Sequence, residues 1–299
     1  MTEEMKGFAQ ITLPPQISRS KITITIHGKS VEIPYARSGM ENPATVIVPG
    51  ASGLGRIPFR ENIEPIAQQL GARVMVLDTP PMVGIKPSLE LDVEIIGECL
   101  DKISPRHPVD LVGYSARGIG AMIYALEHQE RVRKLVLVAS AGLRREIYSG
   151  FRHMTLPIIG DILARISIQP TKESVEKSLK VLFYDPEKIP DGLAEEILQQ
   201  YLNWGFKKWC EWYLATLRQG VNFWGQKIIV LDELRALSEK IPILVVWGEH
   251  DRILSYRQMV LAKVACPKIQ IHLMEGCGHW PQMEKPEEFS RIVADFLRD

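Results

Sequence analysis

The chain has 299 residues, 45% of them hydrophobic, and 36 basic residues balance 36 acidic ones. That length and apolar content suffice for one large core, or for a core carrying an inserted subdomain. Zero formal net charge and the lack of a basic block argue against nucleic acid or an anionic membrane as a partner. In chain order, the leader MTEEMKGFAQITLPPQ has no apolar h-region, and no run of about 18 apolar residues follows anywhere, so secretion and membrane spanning are not expected. Next, KITITIHGKSVEIPY alternates β-formers around a turn at Gly28, which predicts a hairpin from 21 to 36.

From there short β-branched runs alternate with helical patterns: TVIVPG, RVMVLD, VDLVGYS and KLVLVAS. Near-continuous apolar strands separated by helices predict a mostly parallel sheet covered on both faces. The rhythm stops after Gly142. Up to 235 the sequence is helical, punctuated by Pro157, Pro170, Pro186 and Pro190, with no convincing strand. The sheet resumes near 243–247 and 268–273, and KPEEFSRIVADFLRD closes the chain as an amphipathic helix. The expected organisation is therefore a core of 1–142 and 236–299 with a helical insertion at 143–235. Cys99, Cys210, Cys266 and Cys277 show no C-x-x-C spacing, which favours a reducing, cytoplasmic setting over a disulfide scaffold.

Ligands and catalytic groups of an open parallel sheet collect at the carboxyl ends of its strands. Ser115, Asp251 and His279 each fall just beyond a predicted strand. A serine hydroxyl needs an adjacent base, and that base needs an acceptor to fix its tautomer; these are the three residue types required. The bland readings are a helix cap for Ser115, a surface loop for Asp251 with Glu249 as its neighbour, and a core position for His279.

The order Ser, Asp, His and the stretch GYSARG between strand and helix resemble the α/β-hydrolase superfamily with its G-x-S-x-G elbow. WGEHD resembles that family's acid loop and GCGHWPQMEKPEEF its histidine loop, so the resemblance covers nearly the whole chain. It implies an α/β-hydrolase fold with an antiparallel N-terminal strand, and the insertion at 143–235 as a lid. It also implies an oxyanion hole built from the backbone N–H groups of Ala51 and Ala116, with Pro49-Gly50 standing where the family commonly begins His-Gly. No metal or cofactor is implied. The histidine loop is similar to those of epoxide hydrolases and of hydrolases acting on meta-ring-fission products; the former use an aspartate nucleophile, and position 115 is serine.

Arg117 stands where the elbow pattern would place a small residue. It either packs its stem and pairs with a carboxylate, or reaches the rim as a contact for an anionic substrate group, or distorts the elbow and leaves a binding protein. Trp204 and Trp280 are the other candidate substrate contacts. Apolar positions 198, 202, 206, 209 and 213 follow one helical stripe, which predicts lid core and, where aromatics face inward, an apolar substrate. A dinucleotide reading of GASGLG with Asp78 fails, because glycines 50, 53 and 55 do not fit G-x-G-x-x-G. The leading expectation is a serine esterase for a small molecule with an apolar or aromatic part; the alternatives are a carbon–carbon hydrolase of the meta-cleavage type and a weakly catalytic binding protein.

Overall fold

The apolar runs assemble into one sheet of eight strands among the described residues, which are 17–50, 53–82 and 84–298 of this computed structural model. The chain enters through the hairpin of β1 (Ser18–Ile26) and β2 (Lys29–Ser38). His27 and Gly28 turn it with φ of 49° and 74°; a two-residue loop needs such dihedrals to match the twist of its strands. The hairpin begins three residues before the predicted start because Ser18 to Lys21 are exposed and carry no apolar alternation.

The remaining elements follow in order as β3 (Thr45–Val48), α1 (Ile63–Leu70), β4 (Val74–Leu77), α2 (Leu89–Ile103), β5 (Val109–Tyr114), α3 (Arg117–Glu127) and β6 (Val132–Val138). The insertion holds α4 (Ser149–Met154), α5 (Ile159–Ser167), α6 (Lys172–Leu182), α7 (Leu193–Asn203) and α8 (Phe206–Gly220), then the short pair β7 (Val221–Asn222) and β8 (Gly225–Gln226). The core closes with α9 (Leu231–Ser238), β9 (Ile243–Gly248), α10 (Arg257–Ala265), β10 (Gln270–Met274), α11 (Pro281–Glu284) and α12 (Pro286–Arg298).

The strand order is β1-β2-β4-β3-β5-β6-β9-β10, antiparallel at β1/β2 and β2/β4 and parallel elsewhere. Every residue of β3, β4, β5 and β9 is buried, as expected when helices cover both faces. The fold is that of an α/β hydrolase. Helix α1 packs on α12, while α2, α3 and α9 pack in succession. Strand β3 lies between β4 and β5, so the connections leave it in opposite directions and open a crevice at its carboxyl end.

Two sequence expectations change in detail. The boundary at 235 falls inside α9, whose Leu234 and Leu237 are fully buried and which packs on α3 of the core. The single aromatic stripe is broken at Gly205, where φ of 78° ends one helix and starts the next. Trp209 is buried and stacks on Tyr201 at 3.6 Å, whereas Leu202 is turned outward. The strand pair in the insertion went unpredicted because two-residue strands carry no alternation to read.

Candidate active site

Ser115 follows β5 directly, and its φ of 53° places a non-glycine residue in the left-handed region. Such strain persists only where the surroundings over-determine the backbone. Here Ser115 N donates to the Val138 carbonyl at 3.0 Å, and the Ser115 carbonyl accepts from Gly118 N and Ala141 N, each at 3.0 Å. The neighbouring small residues are equally constrained. A Cβ on Gly113 would lie 2.7 Å from Ala121 Cβ, and one on Gly118 would lie 2.0 Å from Ser140 Oγ.

Arg117 escapes that constraint because its side chain leaves in another direction. Its guanidinium donates to Thr79 Oγ1, and its Nε lies 3.5 Å from Asp92 Oδ1 on α2. The residue is 4% exposed. The guanidinium is directed toward Thr79 and Asp92 beneath the surface, the arrangement of the pairing reading, and not over the rim. Burial raises the Asp92 carboxyl above its ordinary range, and Arg117 opposes that rise.

His279 lies on the loop between β10 and α11, with its ring 5.3 Å from that of Tyr114. Its Nε2 is 3.1 Å from Ser115 Oγ, and its Nδ1 is 2.8 Å from Asp251 Oδ2. The carboxylate accepts a hydrogen bond from Nδ1–H, which leaves the Nε2 lone pair facing the hydroxyl. Asp251 is itself held in place: Oδ1 accepts from Ile253 N at 2.8 Å and Leu254 N at 2.9 Å. Its side chain is fully buried and that of His279 is 4% exposed, so the pair works in a medium where charge interactions are strong. Glu249, the neighbouring acid, is turned toward Gly276 N instead.

Ala116 precedes α3 as its cap, where backbone N–H groups have no intrahelical acceptor and the helix dipole is positive. Ala51 lies outside the described residues. Gly50 is close by: a Cβ there would come 3.2 Å from Ser115 Cβ. The insertion reaches this loop from above. Gln200 Nε2 on α7 donates to the Gly53 carbonyl at 2.8 Å, and a Cβ on Gly53 would come 2.7 Å from the Trp204 ring. Trp280 is 2% exposed and sits edge-on to Phe183 at 5.6 Å, within the wall behind His279.

Glu284 was not singled out from the sequence. Its Oε1 accepts from Gly278 N at 2.5 Å, and its Oε2 accepts from Tyr184 N at 2.9 Å and Asp185 N at 3.1 Å. One buried carboxylate thus joins the histidine loop to the chain leaving α6, and His279 N adds a 2.7 Å bond to the Leu182 carbonyl. Burial pushes the Glu284 carboxyl up, and the three N–H donors counter it. A Glu between two prolines ahead of an amphipathic helix reads as a solvated cap residue, which is why only packing reveals it. Among the described residues no cluster of three His, Cys, Asp or Glu side chains is arranged to hold a metal ion.

A strained serine elbow at the crevice, a histidine and a carboxylate in line, and helices inserted in the chain between the neighbouring strands β6 and β9 define an α/β-fold hydrolase. Residues 43–286 match the family model described as alpha/beta hydrolase fold, and the chain belongs to that family. Among individual relatives it is similar to the 2-hydroxy-6-oxononadienedioate/2-hydroxy-6-oxononatrienedioate hydrolase of Burkholderia vietnamiensis, at 27% identity over 93% of this chain and 94% of the relative. The enzyme of the same name from Cupriavidus pinatubonensis is 28% identical over 83% of each chain. Of solved structures, the serine hydrolase CCSP0084 from Cycloclasticus zankles superposes with a TM-score of 0.76 at 18% identity, covering 94% of this chain and 98% of that one. The meta-cleavage product hydrolase CumD from Pseudomonas fluorescens IP01 gives 0.74 at 21% identity, covering 92% and 97%.

Proposed function

We propose that the chain hydrolyses a carbon–carbon bond in a 2-hydroxy-6-oxo-dienoate, a product of meta ring fission. The observation that carries this reading is the likeness, over 93% of the chain, to a relative named for that activity. It moves the carbon–carbon alternative ahead of the ester expected from the sequence. Both reactions use the same serine chemistry, and the pairing of Arg117 away from Ser115 removes the motive for a disabled elbow.

In this reading the substrate reacts as its 2,6-dioxo tautomer, in which the enol proton has moved to C5. Ser115 Oγ attacks the C6 carbonyl while His279 Nε2 takes the hydroxyl proton, and Asp251 holds the imidazolium that results. The oxyanion on C6 faces the N–H group of Ala116. Its collapse breaks C5–C6. The electron pair spreads through the unsaturated chain onto the C2 oxygen, and His279 returns its proton to that dienolate. A water molecule, deprotonated by His279, then attacks the acyl-serine; Ser115 leaves with the proton and a carboxylic acid is released. No step calls for a metal or cofactor. The helices of 143–230 serve as a lid, with Trp204 above the oxyanion loop and Trp280 in the wall behind the histidine bounding an apolar acyl site.

The test follows the visible absorbance of a ring-fission dienoate in the presence of the purified chain and of Ser115→Ala. Loss of colour with release of the matching acid, abolished in the variant, supports the proposal. Turnover of aryl esters with no loss of dienoate absorbance would return the ester reading to first place. Failure of a fluorophosphonate to label the folded parent at Ser115 would overturn both.

A further inference from the structure

Helix α5 is arranged inside out. Its buried residues are the small ones, Gly160 and Ala164, while Ile159, Ile162 and Ile166 are 56%, 53% and 66% exposed. Residues 160 and 164 share one stripe of the helix, and 159, 162 and 166 share the opposite stripe. The two faces cannot trade places, because a Cβ on Gly160 would come 2.4 Å from the Met154 carbonyl oxygen. Ile158, which precedes the helix, is 76% exposed at φ 62°, a conformation that a β-branched residue rarely adopts. Ile159 N donates to the Pro157 carbonyl at 2.6 Å and closes this tight turn.

A second apolar group lies alongside. The tip of the β7–β8 hairpin carries Phe223 and Trp224, the latter 73% exposed. Arg152 Nε on α4 donates to the Phe223 carbonyl at 2.7 Å, and Arg218 Nη2 reaches both the Met154 carbonyl and Asp161, so hairpin, α4 and α5 form one surface. The charge of this surface departs from that of the whole chain. Segments 144–168 and 218–227 hold Arg144, Arg145, Arg152, Arg165, Arg218 and Lys227 against Glu146 and Asp161, four positive charges in excess in a chain whose total is zero. Both acids are already paired, with Arg144 and Arg218. Arg145 is placed beside the hairpin by the bond from Gln226 N to its carbonyl.

We propose that this face is a docking surface for an anionic lipid bilayer. An apolar helix face with cations at its margin, and a tryptophan beside it, matches the hydrocarbon boundary and the charged headgroups together. A second copy of the chain fits less well. A two-fold contact would bring the same face against itself, setting four excess positive charges against four more. The chain-level balance that argued against a membrane partner averaged this local excess away, and the surface is independent of which substrate Ser115 attacks.

The experiment is co-sedimentation of the full chain with vesicles of phosphatidylcholine, alone or with phosphatidylglycerol, at low and high salt. Binding to the anionic vesicles, weakened by salt, is expected. It falls about tenfold or more in Ile162→Glu, in Trp224→Glu and in the pair Arg145→Glu/Arg165→Glu, and is unchanged in Val264→Glu, an exposed position on the outer side of α10. All these positions are on the surface, and thermal melting verifies that each variant is folded. Three outcomes would overturn the proposal: no partition of the parent onto anionic vesicles, equal binding by all variants, or a dimer in light scattering that Ile162→Glu dissolves.

Discussion

Replacing Asp251 by Asn separates orientation of the histidine from the packing around it. Asp251 Oδ1 receives two backbone N–H groups, and Oδ2 faces His279 Nδ1 at 2.8 Å. An amide must choose which end meets those donors. Turning its NH2 toward Ile253 N and Leu254 N leaves two buried donors unmet, at about 1–3 kcal/mol each, so the oxygen stays there with a preference of about 2–6 kcal/mol. The NH2 then points at Nδ1, which becomes an acceptor, and the ring proton moves to Nε2. At 3.1 Å from Ser115 Oγ, Nε2 would donate where it needs to accept. The expected loss in kcat is about ten-thousand-fold, or about 5.5 kcal/mol in the barrier, with little change in the melting temperature. Asp251→Ala should match that loss in rate and also lower the melting temperature, because it abandons both backbone donors. Steady-state rates with a dienoate or aryl ester, alongside thermal melting, provide the measurement. An Asp251→Asn enzyme within tenfold of the parent would refute the assignment of Asp251 as the orienting acid.

Arg117→Ala is expected to lower stability by about 1–3 kcal/mol, since it strips the partly buried Asp92 and Thr79 of their partner, while kcat/KM stays within a few fold. Denaturant unfolding and steady-state kinetics check this, and a loss in KM alone would revive a substrate contact. Glu284→Gln keeps the side-chain shape but sets an NH2 against backbone N–H donors, so the histidine loop loosens. A fall in kcat of about tenfold or more, with a shifted pH profile and a near-constant KM, is expected; an unchanged profile would reduce Glu284 to a structural brace. Cys99 and Cys277, both fully buried and with thiols pushed up to about 12, should not react with a disulfide reagent at pH 8 until the chain unfolds. In the native state they keep protons that the unfolded chain releases above pH 9, so stability should decline as pH rises from 9 toward 12. Fast labelling of either thiol in the folded chain would contradict their burial.

The local sequence determined the strands, the elbow and the identity of the three residues that meet at it. Buried parallel strands have to be continuous apolar runs, and a turn this tight tolerates only small residues where strand and helix backbones meet, so β5, Gly113 and Gly118 were legible without a structure. Arg117 looked like a violation because sequence gives spacing but not the direction in which a side chain leaves the backbone. Glu284 and Gln200 were illegible for a related reason: a polar residue on a helix reads as solvated until another segment brings backbone donors or acceptors to it. The apolar face of α5 inverts the same rule. Amphipathic spacing places isoleucines and small residues on opposite sides, but which side turns inward depends on whether a neighbouring helix leaves room for a Cβ, and only the tertiary packing of α4 on Gly160 decided that.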